Sequence, residues 1–237
     1  MNKQPISFIS DLHLSTKDLS KLESFEYYCN ELSIQFKAVY ILGDLFDHWI
    51  GKDIDTTLQN RIYDAMKNAA KNTSLFYLKG NREILLPKHL ISNTGAQWIE
   101  DLSTVDIFGH KALICHGDIL CTQDMMHLRW LKISRYISKL FLKTPVTFRL
   151  WCLNKFRSHH QTQLTNNDCI DTNIINPIID QSNSSYFIHG HTHVMELNRR
   201  TTGHREYTYV SLRSWDEEPN HTYIEYDGSI AFEKIHI

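Results

Sequence analysis

The sequence lacks several features that would assign it to a membrane or secreted class. No apolar run reaches the ~18 residues of a transmembrane helix. The N-terminus has no basic stretch followed by an apolar run and a small-residue cleavage site, so no signal peptide is predicted. The five cysteines are odd in number, and their spacings fit neither a zinc ribbon nor a disulfide framework. Reduced thiols in a cytosolic, soluble or membrane-surface protein are the simplest interpretation.

The chain also lacks a strong charge imbalance, internal repeats and low-complexity linkers. Its formal net charge is −2 over 237 residues, which does not favour nucleic-acid binding by the molecule as a whole. The apolar fraction of 42% and the charged fraction of 22% are those of an ordinary globular protein. We therefore expect a single domain over residues 1–237, interrupted by a helical insertion at about 123–165.

Short apolar runs alternate with helix-like stretches through most of the chain. The predicted strands are residues 6–10, 38–42, 75–79, 112–115 and 186–189. Apolar residues recur at three- and four-residue steps in 18–36 and 58–71, which predicts helices there. Strand–helix–strand repetition favours a largely parallel sheet with right-handed crossovers.

The C-terminal part has a different pattern. Residues 207–212, 222–226 and 229–237 alternate apolar and polar side chains, and Asp227-Gly228 is a hairpin signal. This pattern predicts antiparallel strands with one covered face. Together the two parts indicate two stacked sheets flanked by helices, an α/β architecture.

Potential metal ligands follow each of the five predicted strands of the first part. The blocks are Asp11-Leu12-His13, Gly43-Asp44, Gly80-Asn81-Arg82, His116-Gly117-Asp118 and Gly190-His191-Thr192-His193. A lone His or Asp after a strand is usually a turn or cap residue. Five such blocks favour a shared site instead, because ligands bind outside the carboxyl ends of strands in open α/β sheets.

The residue types in these blocks suit divalent cations, which accept carboxylate, amide oxygen and imidazole together. Two such cations ~3.5–4 Å apart would acidify a water molecule and stabilise charge at a phosphorus centre. Asp44 could bridge them, and the guanidinium of Arg82 suits a phosphoryl oxygen. The pattern therefore predicts a two-metal phosphohydrolase.

The ordered motifs D-x-H, G-D, G-N-R, H-G-D and G-H-x-H resemble those of the calcineurin-like metallophosphoesterases over nearly the whole chain. The resemblance implies a four-layer α-β-β-α sandwich with a helical insertion cap. It implies two Mn²⁺ per monomer, other divalent metals being possible. One metal would be bound by Asp11, His13, Asp44 and His193, and the other by Asp44, Asn81, His116 and His191. The implied catalytic residues are Arg82, Asp44, Asn81 and His116.

Longer strings at 10–14 (SDLHL), 41–51 (ILGDLFDHWIG), 80–86 (GNREILL) and 115–124 (CHGDILCTQD) are similar to those of the UDP-2,3-diacylglucosamine hydrolases of lipid A biosynthesis. This similarity implies hydrolysis of that diphosphate to UMP and 2,3-diacylglucosamine 1-phosphate. The implied substrate contacts are Asn81, Arg82, Asp124, Ser158, Thr162, Thr165 and His191. The alternative is another dinuclear metallophosphoesterase acting on nucleotides or nucleic acid. A scaffold of this family that only binds partners would be expected to lack some ligands or Arg82.

The chain departs from that hydrolase pattern in three places. Glu83 stands where the family usually has Asp, and Leu212-Arg213-Ser214-Trp215 replaces a small-residue turn before the Trp. In the insertion, the family pattern R-x-x-S-x-x-x-N-x-x-K aligns with Lys155, Ser158, Thr162 and Thr165, so only the serine is retained.

The insertion is basic and aromatic. Residues 125–165 contain eight Lys or Arg and no Asp or Glu, with Trp, Tyr and Phe interleaved. Such a helical hairpin could lie on an anionic membrane surface, wall a chamber for acyl chains, or form an amphipathic cap with a solvated face. Single-stranded nucleic acid is disfavoured because the remainder of the chain is acidic. We expect an acylated UDP-sugar lipid and the cytoplasmic face of the inner membrane as partners, no nucleic acid, and a monomer.

Overall fold

The strands of the protein form two sheets. The computed structural model describes residues 4–83, 85–118, 140–152 and 171–236. The strands are β1 (Ile6–Ile9), β2 (Ala38–Leu42), β3 (Ser74–Leu78), β4 (Gln97–Ile99), β5 (Ser103–Ile107), β6 (His110–Cys115), β7 (Tyr186–His189), β8 (Glu196–Thr201), β9 (Glu206–Ser211), β10 (Asn220–Ile224) and β11 (Ile230–Lys234). The α-helices with both ends in the described residues are α1 (Leu19–Tyr27), α2 (Thr56–Asn72), α3 (Lys88–Ser92) and α4 (Thr172–Ser182). A π turn (Tyr28–Leu32) and a 3-10 turn (Ser33–Gln35) continue α1, so the predicted helix over 18–36 is confirmed with an irregular end.

The first sheet has the order β11-β10-β1-β2-β3-β4. Strands β1 to β4 are parallel to one another, as the strand–helix–strand pattern predicts. Strands β10 and β11 join its edge as an antiparallel hairpin. The turn uses Asp227, whose carboxylate accepts from the Ser229 amide at 2.9 Å, and Gly228 at φ 85°. The hairpin prediction is confirmed.

The second sheet has the order β5-β6-β7-β9-β8. Here β9 pairs antiparallel with β8 but parallel with β7, so the antiparallel prediction for residues 207–212 is confirmed for one neighbour and wrong for the other. The reason is that Tyr207, Tyr209 and Val210 are buried, and a covered strand finds its partners inside the second sheet. Strands β4, β5 and β8 were not predicted, because they are short or largely polar edge strands.

Three apolar layers follow from the alternation of side chains along the strands. Val39 and Ile41 of β2 face α1 and α2, whereas Tyr40 and Leu42 face the second sheet. On the far side of the second sheet, the α4 side chains pack against Leu113, Phe187 and their neighbours. The order is helix, sheet, sheet, helix, so the predicted four-layer α/β sandwich is confirmed. The insertion cap remains a prediction, since most of residues 123–165 lie outside the described part.

The described piece of the insertion, residues 140–152, is fixed to the sandwich by Arg149. This side chain is buried and donates to the Ile50 carbonyl at 2.6 Å and to both carboxylate oxygens of Asp53. Its charge is therefore neutralised within the protein. The sequence pattern predicts that Arg149 adds to a basic outer face, and the structure shows that it does not. Among the described helices, none combines the length and apolar character needed to cross a bilayer.

Candidate metal centre

The loops after β1, β2 and β7 have an unusual backbone. Five predicted ligands have φ in the left-handed region: Asp11 (54°), His13 (51°), Asp44 (52°), His191 (68°) and His193 (61°). A residue other than glycine pays roughly 1–2 kcal/mol for that conformation. Strained residues cluster at functional sites. Two hydrogen bonds between the loops after β1 and β2 hold this left-handed conformation. The Asp11 amide donates to the Gly43 carbonyl at 3.1 Å, and the His13 amide donates to the Asp44 carbonyl at 3.0 Å.

Glycines allow the loops after β2, β3 and β6 to meet. A Cβ on Gly43 would lie 2.7 Å from the Gly80 backbone and from Nδ1 of His116. A Cβ on Gly80 would overlap the Asp44 carboxylate. Only glycine at both positions lets the blocks after β2, β3 and β6 approach each other closely.

One group of donor atoms comes from Asp11, His13 and His193, which can each place one ligand atom within 4.8 Å of the others. Nε2 of His193 lies 3.5 Å from Oδ1 of Asp11, and Nε2 of His13 lies 3.9 Å from the same oxygen. Oδ2 of Asp44 is 3.5 Å from Nε2 of His13. These four residues are the set predicted for one metal.

A second group lies on the other side of Asp44. Oδ1 of Asp44 is 3.6 Å from Nε2 of His116, and Asp11 falls within 4.8 Å of both. The Asn81 amide oxygen is 3.0 Å from the same His116 nitrogen. The ring of His191 stands at 5.2 Å from that of His116, edge to face. The structure thus brings all seven predicted ligands together, with Asp44 between the two groups.

The donor set fits cations. Oδ1 of Asp11 and Nε2 of His13 are buried and have no hydrogen-bond partner among the described residues. Such atoms cost free energy unless another group satisfies them. The Asn81 oxygen faces Asp44 and His116, whereas the reversed amide would donate to Asp44 at 2.9 and 3.2 Å. An amide oxygen directed at carboxylate oxygens is stable when a cation lies between them.

The charges within the cluster also favour a cation. Burial alone would raise the pKa of Asp11, but the neighbouring imidazoles of His193 and His116 hold that pKa below its usual range. Burial lowers the pKa of His116, yet Asp44 and Asp11 overcome it and raise that pKa to about 10. Burial and His116 lower the pKa of His191 to about 4, leaving its imidazole neutral. The carboxylates therefore stabilise positive charge between them, as a proton or as a metal ion.

Arg82 lies at the opening of the cluster. Its Nε is 3.3 Å from Oδ2 of Asp44, and Nη1 is 3.0 Å from Oδ1 of Asp47. Its backbone amide donates to Oδ1 of Asp44 at 2.9 Å. About a third of the side chain is exposed, so the guanidinium retains an open face beside the candidate metals.

The Glu83 side chain hydrogen-bonds to the loop that carries Asp44. Its fully buried carboxylate accepts from the amides of Leu45 (3.2 Å) and Phe46 (3.0 Å) and from the Tyr77 hydroxyl (2.5 Å). Burial, with the charge of Asp44 added, raises the pKa of Glu83 to about 7. The residue that departs from the hydrolase pattern therefore connects the loop carrying Asp44 to the loop carrying Asn81.

Replacing Glu83 by alanine should destabilise the protein by about 3 kcal/mol or more, since each buried donor left without an acceptor costs ~1–3 kcal/mol. The measurement is the free energy of unfolding from urea titration. Glu23→Ala, on the exposed face of α1, is the matched control and should leave that free energy almost unchanged. An unfolding midpoint of Glu83→Ala equal to that of the control would contradict the role given to this carboxylate.

The predicted substrate contacts divide into two sets. Asn81, Arg82 and His191 lie in the cluster, whereas Asp124, Ser158, Thr162 and Thr165 lie outside the described residues. Sequence reasoning missed Asp216, whose carboxylate lies beside His13 and His193. It also missed the Leu42 carbonyl, which accepts from Nδ1 of His116 at 2.9 Å. A backbone acceptor leaves no sequence signal, and Asp216 belongs to none of the five motifs.

Comparisons with known proteins identify the family. The family model for calcineurin-like phosphoesterases matches residues 4–195. The chain is 34% identical to the UDP-2,3-diacylglucosamine hydrolase of Neisseria gonorrhoeae over 223 residues, covering 91% of each. It is 29% identical to that of Coxiella burnetii (strain RSA 331) over 236 residues, covering 97% of each.

Solved structures are similar in fold. A protein from Thermus thermophilus aligns with a TM-score of 0.51 at 11% identity, covering 98% of this chain and 99% of its own. An archaeal phosphodiesterase aligns with a TM-score of 0.50 at 12% identity, covering 97% and 99%. At these identities the likeness concerns the fold alone.

Proposed function

The chain belongs to the calcineurin-like phosphoesterase family, whose members bind divalent metals, and on that premise we propose that it hydrolyses the diphosphate bond of UDP-2,3-diacylglucosamine with two Mn²⁺ ions. The products are UMP and 2,3-diacylglucosamine 1-phosphate, in lipid A biosynthesis. The convergence of two donor groups on Asp44 supports the chemistry. The name shared by relatives that align over 91–97% of the chain supports the substrate.

Asp44 has the position of a bridging ligand. Oδ2 faces His13 and Oδ1 faces His116, so one carboxylate serves both donor groups. Asp11, His13 and His193 would complete one metal position, and Asn81, His116 and His191 the other. When bound, two divalent cations would lower the pKa of a water molecule and withdraw charge from the phosphoryl group.

Arg82 and two of the proposed metal ligands, Asn81 and His191, orient the diphosphate. Water attacks the α-phosphorus, its oxygen becomes part of UMP, and the bond from that phosphorus to the bridging oxygen breaks. The bridging oxygen leaves with the lipid phosphate. Arg82 presents its guanidinium to a phosphoryl oxygen, where it stabilises the charge that develops during attack. Asn81 and His191 border the same space.

The test uses purified full-length protein, UDP-2,3-diacylglucosamine and Mn²⁺ in ¹⁸O-labelled water. The expected result is release of UMP that carries the label, which phosphorus NMR and mass spectrometry detect. Label in the lipid phosphate would overturn attack at the α-phosphorus. No UMP release, combined with turnover of a dinucleotide or a model diester, would replace this substrate by the nucleotide alternative. Parallel assays with Mg²⁺, Co²⁺ and Zn²⁺ test the choice of manganese.

Membrane association is a second part of the proposal. Residues 146–152 are helical, and Phe148 and Trp151 stack at 6.0 Å while being 46% and 57% exposed. Leu140 is exposed nearby in the chain. Arg149 anchors the segment from its buried side, so the aromatic side chains are held toward solvent. We propose that this face meets the cytoplasmic surface of the inner membrane, where a monomer extracts its lipid substrate.

The double variant Phe148→Ser/Trp151→Ser should bind vesicles of phosphatidylethanolamine and phosphatidylglycerol about tenfold more weakly. This corresponds to a loss of ~1.4 kcal/mol in the free energy of binding. Loss of apolar surface at the interface is the reason. Vesicle sedimentation measures the partitioning. Ile174→Ser/Leu197→Ser removes exposed apolar surface on α4 and β8 and serves as the control. Equal weakening in both double variants would contradict a specific contact through residues 140–152.

A further inference from the structure

The segment after β9 is fixed against the first ligand loop. The backbone amide of Trp215 donates to the Asp11 carbonyl at 3.0 Å. The Trp215 ring is fully buried, packs edge-on against Phe25 at 6.5 Å, and donates from its indole nitrogen to the Asn220 carbonyl at 2.7 Å. The next residue, Asp216, is therefore held at the edge of the candidate metal centre.

The two oxygens of Asp216 are divided between two imidazoles. Oδ1 lies 3.0 Å from Nδ1 of His13, and Oδ2 lies 3.3 Å from Nδ1 of His193. Each imidazole can donate its Nδ1 hydrogen to this carboxylate. Each then presents Nε2 to the interior, toward Asp44 in the case of His13 and toward Asp11 in the case of His193.

Lys21 of α1 holds the carboxylate in place. Its ammonium group lies 3.1 Å from Oδ1 of Asp216, and the lysine side chain is largely covered. Oδ1 of Asp216 therefore serves His13 and Lys21 together, while Oδ2 is left for His193.

The other candidate metal position is built differently. Nδ1 of His116 donates to the neutral carbonyl of Leu42. A carboxylate partner raises the basicity of a ligating imidazole more than a neutral carbonyl does, and it fixes the tautomer equally well. The two positions therefore differ in what supports their histidines, although they share Asp44.

We propose that Asp216 is a positioning residue that orients His13 and His193 together and sets the divalent-cation affinity of their position alone. The inference rests on the dinuclear centre of the proposed function. It adds a residue from the C-terminal segment, outside the five motifs. Lys21 supports Asp216 and has the smaller effect of the two.

The experiment measures Mn²⁺ binding to the full-length protein by calorimetry and by the EPR signal of free Mn²⁺. Asp216→Ala should weaken one of the two positions by roughly 10–100-fold, as expected for loss of an outer carboxylate, and leave the other nearly unchanged. Asp216→Asn, which keeps the size of the side chain, should give an intermediate loss, and Lys21→Met a smaller one. Excess Mn²⁺ should restore hydrolysis in each variant. Glu217→Ala, whose side chain is 74% exposed, is the neighbouring control and should bind as the wild type does.

Two results would separate the possible failures. Wild-type affinity at both positions in Asp216→Ala and Asp216→Asn would overturn the role of Asp216 while leaving the dinuclear centre intact. Binding of fewer than two Mn²⁺ ions by the wild-type protein would overturn the dinuclear centre itself, and this inference with it. Thermal unfolding of the metal-free Asn variant should remain cooperative, with a midpoint lowered only by the loss of the ion pairs with His13, His193 and Lys21.

Discussion

Asp44→Ala should reduce kcat/KM by at least about 10³-fold, because under the proposed function this carboxylate would hold both metals, and each metal would supply several kcal/mol of charge stabilisation. The side chain is almost fully buried and faces His13 on one side and His116 on the other. It also accepts the Arg82 amide, so its loss disturbs the position of the residue next to Asn81. The measurements are UMP release and bound Mn²⁺ per chain, which should fall from two to one or fewer.

Asp64→Ala provides the control for this prediction. Asp64 lies on α2 and its side chain is 68% exposed, so its removal should change neither metal content nor rate. Asp44→Asn should also lose bound metal and UMP release, because a neutral amide supplies less negative charge to two cations than a carboxylate does. An Asp44→Ala protein with two bound metals and a kcat near that of the wild type would exclude a bridging role.

The position of the candidate site in the fold follows from a simple topological rule. Asp11, Asp44 and Asn81 follow neighbouring parallel strands of one sheet, and His116 and His191 follow neighbouring parallel strands of the other. Parallel strands bring their carboxyl ends to one edge, whatever the length of chain between them. Continuous apolar runs such as residues 38–42 identify strands buried on both faces, and these are the strands that carry the ligands.

The remainder depends on contacts that local patterns do not encode. Strand β9 alternates like an antiparallel strand with one covered face, yet it pairs parallel with β7 inside the second sheet. Arg149 belongs to a basic stretch by composition, but it is buried against Asp53. Asp216 reaches His13 only because Trp215 binds the Asp11 backbone across 204 positions of sequence. Such pairings are set by tertiary packing, which overrides local propensity.

Arg82→Ala should lower kcat by about 10²–10³-fold while leaving two Mn²⁺ ions bound, because removing one preformed donor to the developing phosphoryl charge has an effect of that size. The guanidinium is already held by Asp44 and Asp47, so little reorganisation is needed when the substrate binds. Arg82→Lys should recover only part of the rate, since an ammonium group keeps the charge but loses the planar fork.

The readouts for Arg82 are kcat from UMP release and metal content from elemental analysis, with Arg61→Ala as the control. Arg61 pairs with Glu26 on the helical layer and should not affect catalysis. A loss of metal in Arg82→Ala would reassign the residue to support of Asp44. An unchanged kcat would show that Arg82 does not stabilise the phosphoryl group during the reaction. The expected combination, full metal occupancy with a slow chemical step, distinguishes a group that acts on phosphorus from one that only maintains the ligands.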